Sequence, residues 1–164
     1  GDVYKRQPLQ HGAPCWRASL FASVCKNGKI KLCTTGTELF LGGIAVNCGI
    51  DIVQIERIEM FVEGHEQSMS RFYTAQEQAY CQSRGAGKYE SYAGIFAAKE
   101  AFWKALGTGF RKGKWTDVEV VHNELGAPSF RLHGLYAMAL KERGSAPALS
   151  IAHDGAYAIA QVIW

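Results

Sequence analysis

Proline is scarce in this 164-residue chain: there are four, and two of them, Pro8 and Pro14, lie near the start. The richest segments can therefore form regular elements without a break. No apolar run approaches the roughly 20 residues that a spanning helix needs, so no membrane association is expected. Nor do residues 1–43 carry the basic start, long apolar stretch and cleavage site of a signal peptide. The five cysteines, Cys15, Cys25, Cys33, Cys48 and Cys81, are odd in number and include no C-x-x-C pair. Neither a zinc site nor a disulfide scaffold is indicated, and a reduced cytoplasmic setting is expected. Cys48, in an apolar run, reads as a small core residue. Internal repeats and low-complexity tracts are absent as well.

A basic excess is missing where it would matter. The chain is formally +3, but residues 1–43 hold six Lys+Arg against two Asp+Glu, leaving 12 against 13 in residues 44–164. Nucleic-acid binding is therefore not expected. What remains basic is local: Arg57 and Arg71 flank the first helical region, and Arg111, Lys112 and Lys114 follow a glycine loop.

That loop ends the most informative stretch, Tyr92–Gly109 (YAGIFAAKEAFWKALGTG). Alanines and straight-chain residues without proline predict a helix over 91–106, stopped by Gly107 and Gly109, which tolerate a left-handed conformation. Glu100 and Lys104 lie a turn apart. They could form only a surface ion pair worth roughly 0.2–0.5 kcal/mol, with Gly-Thr-Gly a mere helix stop. Alternatively, carboxylate, amine and glycine loop together make a metal-assisted phosphate site.

A second segment, residues 44–62, begins as an apolar run fitting a buried strand, reaches Asp51, and then shifts to helical spacing at Ile52, Ile55, Ile58 and Phe61 or Val62. Asp51 is thus expected at a strand-to-helix junction, where a rigid scaffold presents a carboxylate. A third apolar run, Leu149–His153, ends in a histidine before an Asp154-Gly155 turn and a strand over 157–163. Between them, Thr74–Glu77 has the form of a capping box opening a helix to about Cys81. Residues 84–89 read as a loop, 118–122 with 130–132 as a hairpin, and 135–143 as a further helix. This order predicts an α+β fold, with a small, mainly antiparallel sheet packed against a long helix.

The three segments, in this order and at these separations, resemble the holo-[acyl-carrier-protein] synthases, the small bacterial branch of the 4′-phosphopantetheinyl transferases. The resemblance spans residues 44–164 and implies that fold. It further implies transfer of 4′-phosphopantetheine from coenzyme A to a serine of apo acyl carrier protein, releasing 3′,5′-ADP, for fatty acid biosynthesis. By position in the family, Asp51 and Glu100 would hold Mg²⁺, with Asp51, Glu100 and Lys104 carrying the catalysis. Lys104, Thr108, Gly109, Gly126, Pro128 and His153 would contact coenzyme A. Arg57, Phe61 and Arg71 would meet the carrier protein, and a homotrimer with sites between subunits is implied. Without the resemblance, His153 reads as an ordinary hydrogen-bonded strand-end residue. Rival readings are a non-catalytic coenzyme A or carrier-protein binding module, and a Mg²⁺-dependent phosphohydrolase.

The chain departs from the family pattern at four positions. Ile95 stands where members usually have arginine, Ala127 where a lysine is usual, Ala152 where Ser or Thr often precedes the histidine, and Asn47 where the strand motif has its first glycine. Residues 1–43 fall outside the resemblance. Asp2–Gln7 back-translates, with one permitted codon choice, to GATGTGTATAAGAGACAG, which resembles a transposon end used in sequencing libraries. An artefactual or disordered leader is expected there, with a genuine extension as the alternative.

Overall fold

The computed structural model describes residues 44–164 together with three short strands before them. The chain divides into two compact units, Gly1–Gly36 and Thr37–Trp164. Within the first, β1 (Ala22–Val24) pairs antiparallel with β2 (Ile30–Leu32). Within the second, β3 (Leu39–Leu41) pairs with β4 (Ile44–Val46). The rest of the expectation for residues 1–43 lies outside the described residues.

The second unit is built on a three-stranded antiparallel sheet. β5 (Cys48–Gln54) and β8 (Ala148–Asp154) flank β9 (Tyr157–Ile163). In the register, Asp51 lies opposite Ala160 and His153 opposite Ala158. Side chains alternate between faces along a strand. One face carries Gly49, Val53, Ala158, Ala160 and Val162, all buried. The other leaves Ile50, Ile52, Tyr157 and Ile163 between 46% and 63% exposed. Two expectations are corrected here. The strand runs three residues past Asp51, which sits mid-strand on the inner face, because the alternation persists to Gln54. Cys48 falls on the outer face and is exposed, not a core residue.

Helix α1 (Ile55–Gly64) follows directly, and α2 (Met69–Phe72) and α3 (Ala75–Ser83) complete the first helical region. The Thr74 capping box forms as the sequence predicts, with the Thr74 hydroxyl accepting from the Glu77 amide and the Glu77 carboxylate accepting from the Thr74 amide. The expected loop over 84–89 is shorter: a single 3-10 turn, Gly85–Gly87, leads straight into α4 (Lys88–Leu106).

Helix α4 is the core. It is buried on nearly every side, with Lys104 its one exposed residue. Its small residues face the sheet. A Cβ on Gly49 would lie 2.0 Å from the Ala101 carbonyl oxygen and 2.5 Å from the Ala105 nitrogen, so strand and helix approach at a distance only glycine allows. Its large residues, Phe102 and Trp103, enter an aromatic cluster with Trp115, Phe130, Tyr136 and Trp164. Gly107 closes the helix in the expected left-handed conformation, at φ 81°. The hairpin of β6 (Val118–His122) and β7 (Pro128–Leu132), then α5 (Gly134–Arg143), occupy the predicted places.

Candidate active site

The inward side of β5 and one edge of α4 meet at a cavity of about 550 Å³. Asp51, Arg57, Phe61, Phe72, Phe96 and Glu100 are among its lining. Asp51 arrives there by strand alternation. Phe96 and Glu100 arrive because residues four apart share a helix face. Lys104 binds across elements rather than along its helix: its ammonium donates to Asp51 Oδ1 at 2.7 Å and to the Ile50 carbonyl at 3.0 Å. The simple Glu100–Lys104 ion pair considered from the sequence does not form among the described residues. Burial raises the Glu100 pKa first, and the nearby Asp51 charge raises it further, while Lys104 opposes both. Two carboxylates that repel across one cavity, with Asp51 Oδ2 and both Glu100 oxygens lacking protein donors among the described residues, form an oxygen donor set for a hard cation. No group of three or more His, Cys, Asp or Glu gathers as a metal site among the described residues.

The glycine loop contributes less than its composition suggests. The Gly107 amide donates to the Lys104 carbonyl, and the Gly109 amide donates to the Trp103 carbonyl at 3.2 Å. The Gly109 amide thus completes the helix end. The Thr108 hydroxyl donates to the Gly109 carbonyl. A separate cavity of about 150 Å³ holds Gly126, Pro128 and His153, with Tyr80, His122 and Ile95 also in its wall. His122 stacks on Tyr80 at 3.8 Å between ring centroids, and burial, reinforced by Arg84, lowers its pKa.

The candidate residues are thus sorted by the fold. Asp51, Glu100, Arg57 and Phe61 share the larger cavity, with Lys104 tied to Asp51 at its edge; Gly126, Pro128 and His153 share the smaller. Arg71 is exposed on α2 and lines neither. Arg57 is exposed as well, and neither arginine forms an ion pair among the described residues.

Sequence reasoning missed a buried ion pair behind the larger cavity. Lys99 and Glu77 are both fully buried, with Lys99 Nζ 2.8 Å from Glu77 Oε2. Burial lowers the Lys99 pKa and raises that of Glu77, each drawn back by its partner's charge. Glu77 also accepts from the Val120 amide, so one residue caps a helix, joins a strand and pairs a lysine. No local signal marked it, because Lys99 sits beside Glu100 in the chain and its partner comes from α3.

A comparison with protein families matches residues 47–162 to the 4′-phosphopantetheinyl transferase superfamily. The chain belongs to that superfamily. Among curated relatives, it is 46% identical over 118 residues to the holo-[acyl-carrier-protein] synthase of Geobacter sulfurreducens, covering 70% of this chain and 93% of the relative. It is 44% identical, with the same coverage, to the synthase of Trichlorobacter lovleyi. Among solved structures, the Neisseria meningitidis holo-[acyl-carrier-protein] synthase superposes with TM-score 0.64 at 32% identity, covering 71% of this chain and 95% of that one. The Helicobacter pylori synthase, solved in complex with coenzyme A, gives TM-score 0.61 at 34% identity, covering 70% and 96%. This transferase fold accounts for the sheet, the central helix and their order. Among the described residues, no helix is long and apolar enough to cross a membrane.

Proposed function

We propose that the chain is a holo-[acyl-carrier-protein] synthase. It moves 4′-phosphopantetheine from coenzyme A to a serine of apo acyl carrier protein in the cytoplasm, for fatty acid biosynthesis. The observation that carries this reading is the shared cavity of Asp51 and Glu100, with Lys104 salt-bridged to Asp51. Asp51 and Glu100 would hold Mg²⁺, which, when bound, draws the coenzyme A pyrophosphate to the site and offsets its charge. The serine hydroxyl attacks the β-phosphorus of coenzyme A, the bond from that phosphorus to the bridging oxygen breaks, and 3′,5′-ADP departs. Glu100 or a water accepts the serine proton; a carboxylate with a raised pKa suits that role better than an ordinary one. Lys104, half exposed at the edge of the cavity, lies where it can balance charge building on the leaving phosphate. The Thr108 hydroxyl lies on the exposed turn just beyond the helix.

The reading includes a homotrimer with sites between subunits. Two observations support it. The candidate site residues of one chain fall in two different cavities, Asp51 and Glu100 in the larger and Gly126, Pro128 and His153 in the smaller, and one face of the main sheet leaves four large apolar side chains exposed. A second copy on that face would cover them, and a site combining Asp51 and Glu100 of one subunit with His153 of the next would reunite the set. Light scattering at micromolar concentration should return three times the protomer mass; an active monomer would eliminate shared sites.

The deciding experiment is incubation with coenzyme A, Mg²⁺ and an apo carrier protein, read by intact mass. Transfer adds the phosphopantetheine mass to the carrier. Splitting of coenzyme A without that addition identifies a hydrolase, and no change identifies a binding module. Asp51→Ala and Glu100→Ala should each abolish transfer to a similar degree, and the double variant should be little worse, because ligands acting as a unit are not additive.

A further inference from the structure

The buried ion pair touches no candidate substrate contact, yet its bonds run to the cavity wall. The Lys99 ammonium donates to the Phe72 carbonyl at 2.7 Å and to the Trp115 carbonyl at 3.3 Å, besides its bond to Glu77. Phe72 lines the larger cavity, and its ring meets Phe61 edge-on at 5.2 Å and Trp115 at 5.3 Å. Phe96, also in the wall, stacks on Trp115 at 4.9 Å. One ammonium thus fastens the backbone behind two of the four rings, at the end of α2 and at the start of the turn leading into β6. A lysine with no exposed surface, bonded to three oxygens on three different segments, has little freedom to let those segments drift.

We propose that Lys99 is a positioning residue for the transfer reaction: it clamps Phe72 and Trp115 so that the aromatic wall of the Asp51–Glu100 cavity keeps its shape. This rests on the transferase reading of that cavity. The pyrophosphate belongs at the carboxylates, so the pantetheine arm leaves the β-phosphorus toward the rest of the cavity, where Phe61, Phe72 and Phe96 stand. The wall acts on the arm, not on the reacting phosphorus.

The test is a double variant, Lys99→Met with Glu77→Gln. Methionine keeps most of the apolar stem, and removing both charges avoids a lone buried ion, a replacement that proteins often tolerate. In the folded variant, the apparent KM for coenzyme A should rise about tenfold while kcat falls less than threefold, and inhibition by 3′,5′-ADP, which lacks the arm, should be unchanged. Hydrogen exchange across residues 69–73 and 114–118 should quicken at least tenfold relative to the rest of the chain. Equal weakening of coenzyme A and 3′,5′-ADP, or kinetics and exchange like those of the parent chain, would overturn the clamp. If the parent chain itself transfers nothing, the functional reading fails, and exchange at those two segments alone judges the clamp.

Discussion

Replacing Gly49 with alanine probes how strand and helix deliver the two carboxylates. The added methyl would sit 2.0 Å from the Ala101 oxygen and 2.5 Å from the Ala105 nitrogen, both backbone atoms of α4 that cannot rotate away. Carbon contacts settle near 3.5–4.0 Å, so β5 and α4 must separate by roughly 1 Å or more. Overpacking of a tight interior costs about 1–3 kcal/mol and sometimes more; with two backbone clashes, the upper end applies, about 3 kcal/mol. For a domain of this size, that lowers the melting temperature by roughly 10 °C. The functional effect should exceed the loss of folded protein. Asp51 rides on the strand and Glu100 on the helix, so the same movement separates them, and a displacement of roughly 1 Å at a reacting centre can cost on the order of 10²-fold in rate. Thermal unfolding by circular dichroism, paired with transfer assays well below the transition, measures both effects. A Gly49→Ala chain melting within about 1 °C of the parent would show that the close approach is not a constraint. One that melts early but transfers at the parent rate would show that strand and helix do not set the site.

The Glu100 carboxyl should titrate above the ordinary glutamate range in a metal-free sample followed by carbon NMR, because burial and Asp51 both raise its pKa. Lys104→Met should move it higher and Asp51→Asn lower; the opposite order would mean that these charges do not act on it. With its folded-state pKa raised, this group's contribution to stability is most favourable below the unfolded-state value and declines as pH rises through the folded one, which denaturant titrations across that window can follow. Arg57→Glu should weaken carrier-protein binding mainly through slower association and reduced salt dependence, leaving coenzyme A affinity intact; parallel loss of both would make Arg57 a structural residue. A chain starting at Ile44 with an added Met should match the full chain in melting temperature and transfer rate, and a large loss in either would assign the preceding segment to the fold.

The elements most legible in the sequence were those specified by local chemistry. The Thr74 capping box, the hairpin at 118–132 and the glycine stop at 107 each need only neighbours in the chain, and each stands within a residue or two of its expected place. The site was legible only through the joint spacing of three segments, since nothing local brings Asp51 to Glu100. Lys104 shows the limit clearly. Its helical neighbour at i−4 is an obvious partner by spacing, but the Asp51 carboxylate, delivered from the strand, takes the ammonium instead. Lys99 was illegible for the same reason, because its partners come from α3, the end of α2 and the turn before β6.

The misreading of β5 is the more instructive failure. Cys48, Ile50 and Ile52 make the run look buried on both sides, which masks the alternation and sets the expected strand end at Asp51 instead of Gln54. Their apolar character is real, and in a single copy of the chain Ile50 and Ile52 remain more than half exposed. A strand whose sequence asks for burial on both faces, while its fold supplies burial on one, leaves the second face open to a partner. The same face extends through Tyr157 and Ile163 on β9, so the demand belongs to a surface and not to a stray residue. If copies of the chain meet there, Ile52→Lys should dissociate the assembly with little harm to the protomer, because the substituted side chain points away from α4. Sedimentation would then show protomers with native circular dichroism and sharply reduced transfer. A variant that keeps both its parent mass and its rate would place the subunit contact elsewhere and leave the apolar face unexplained.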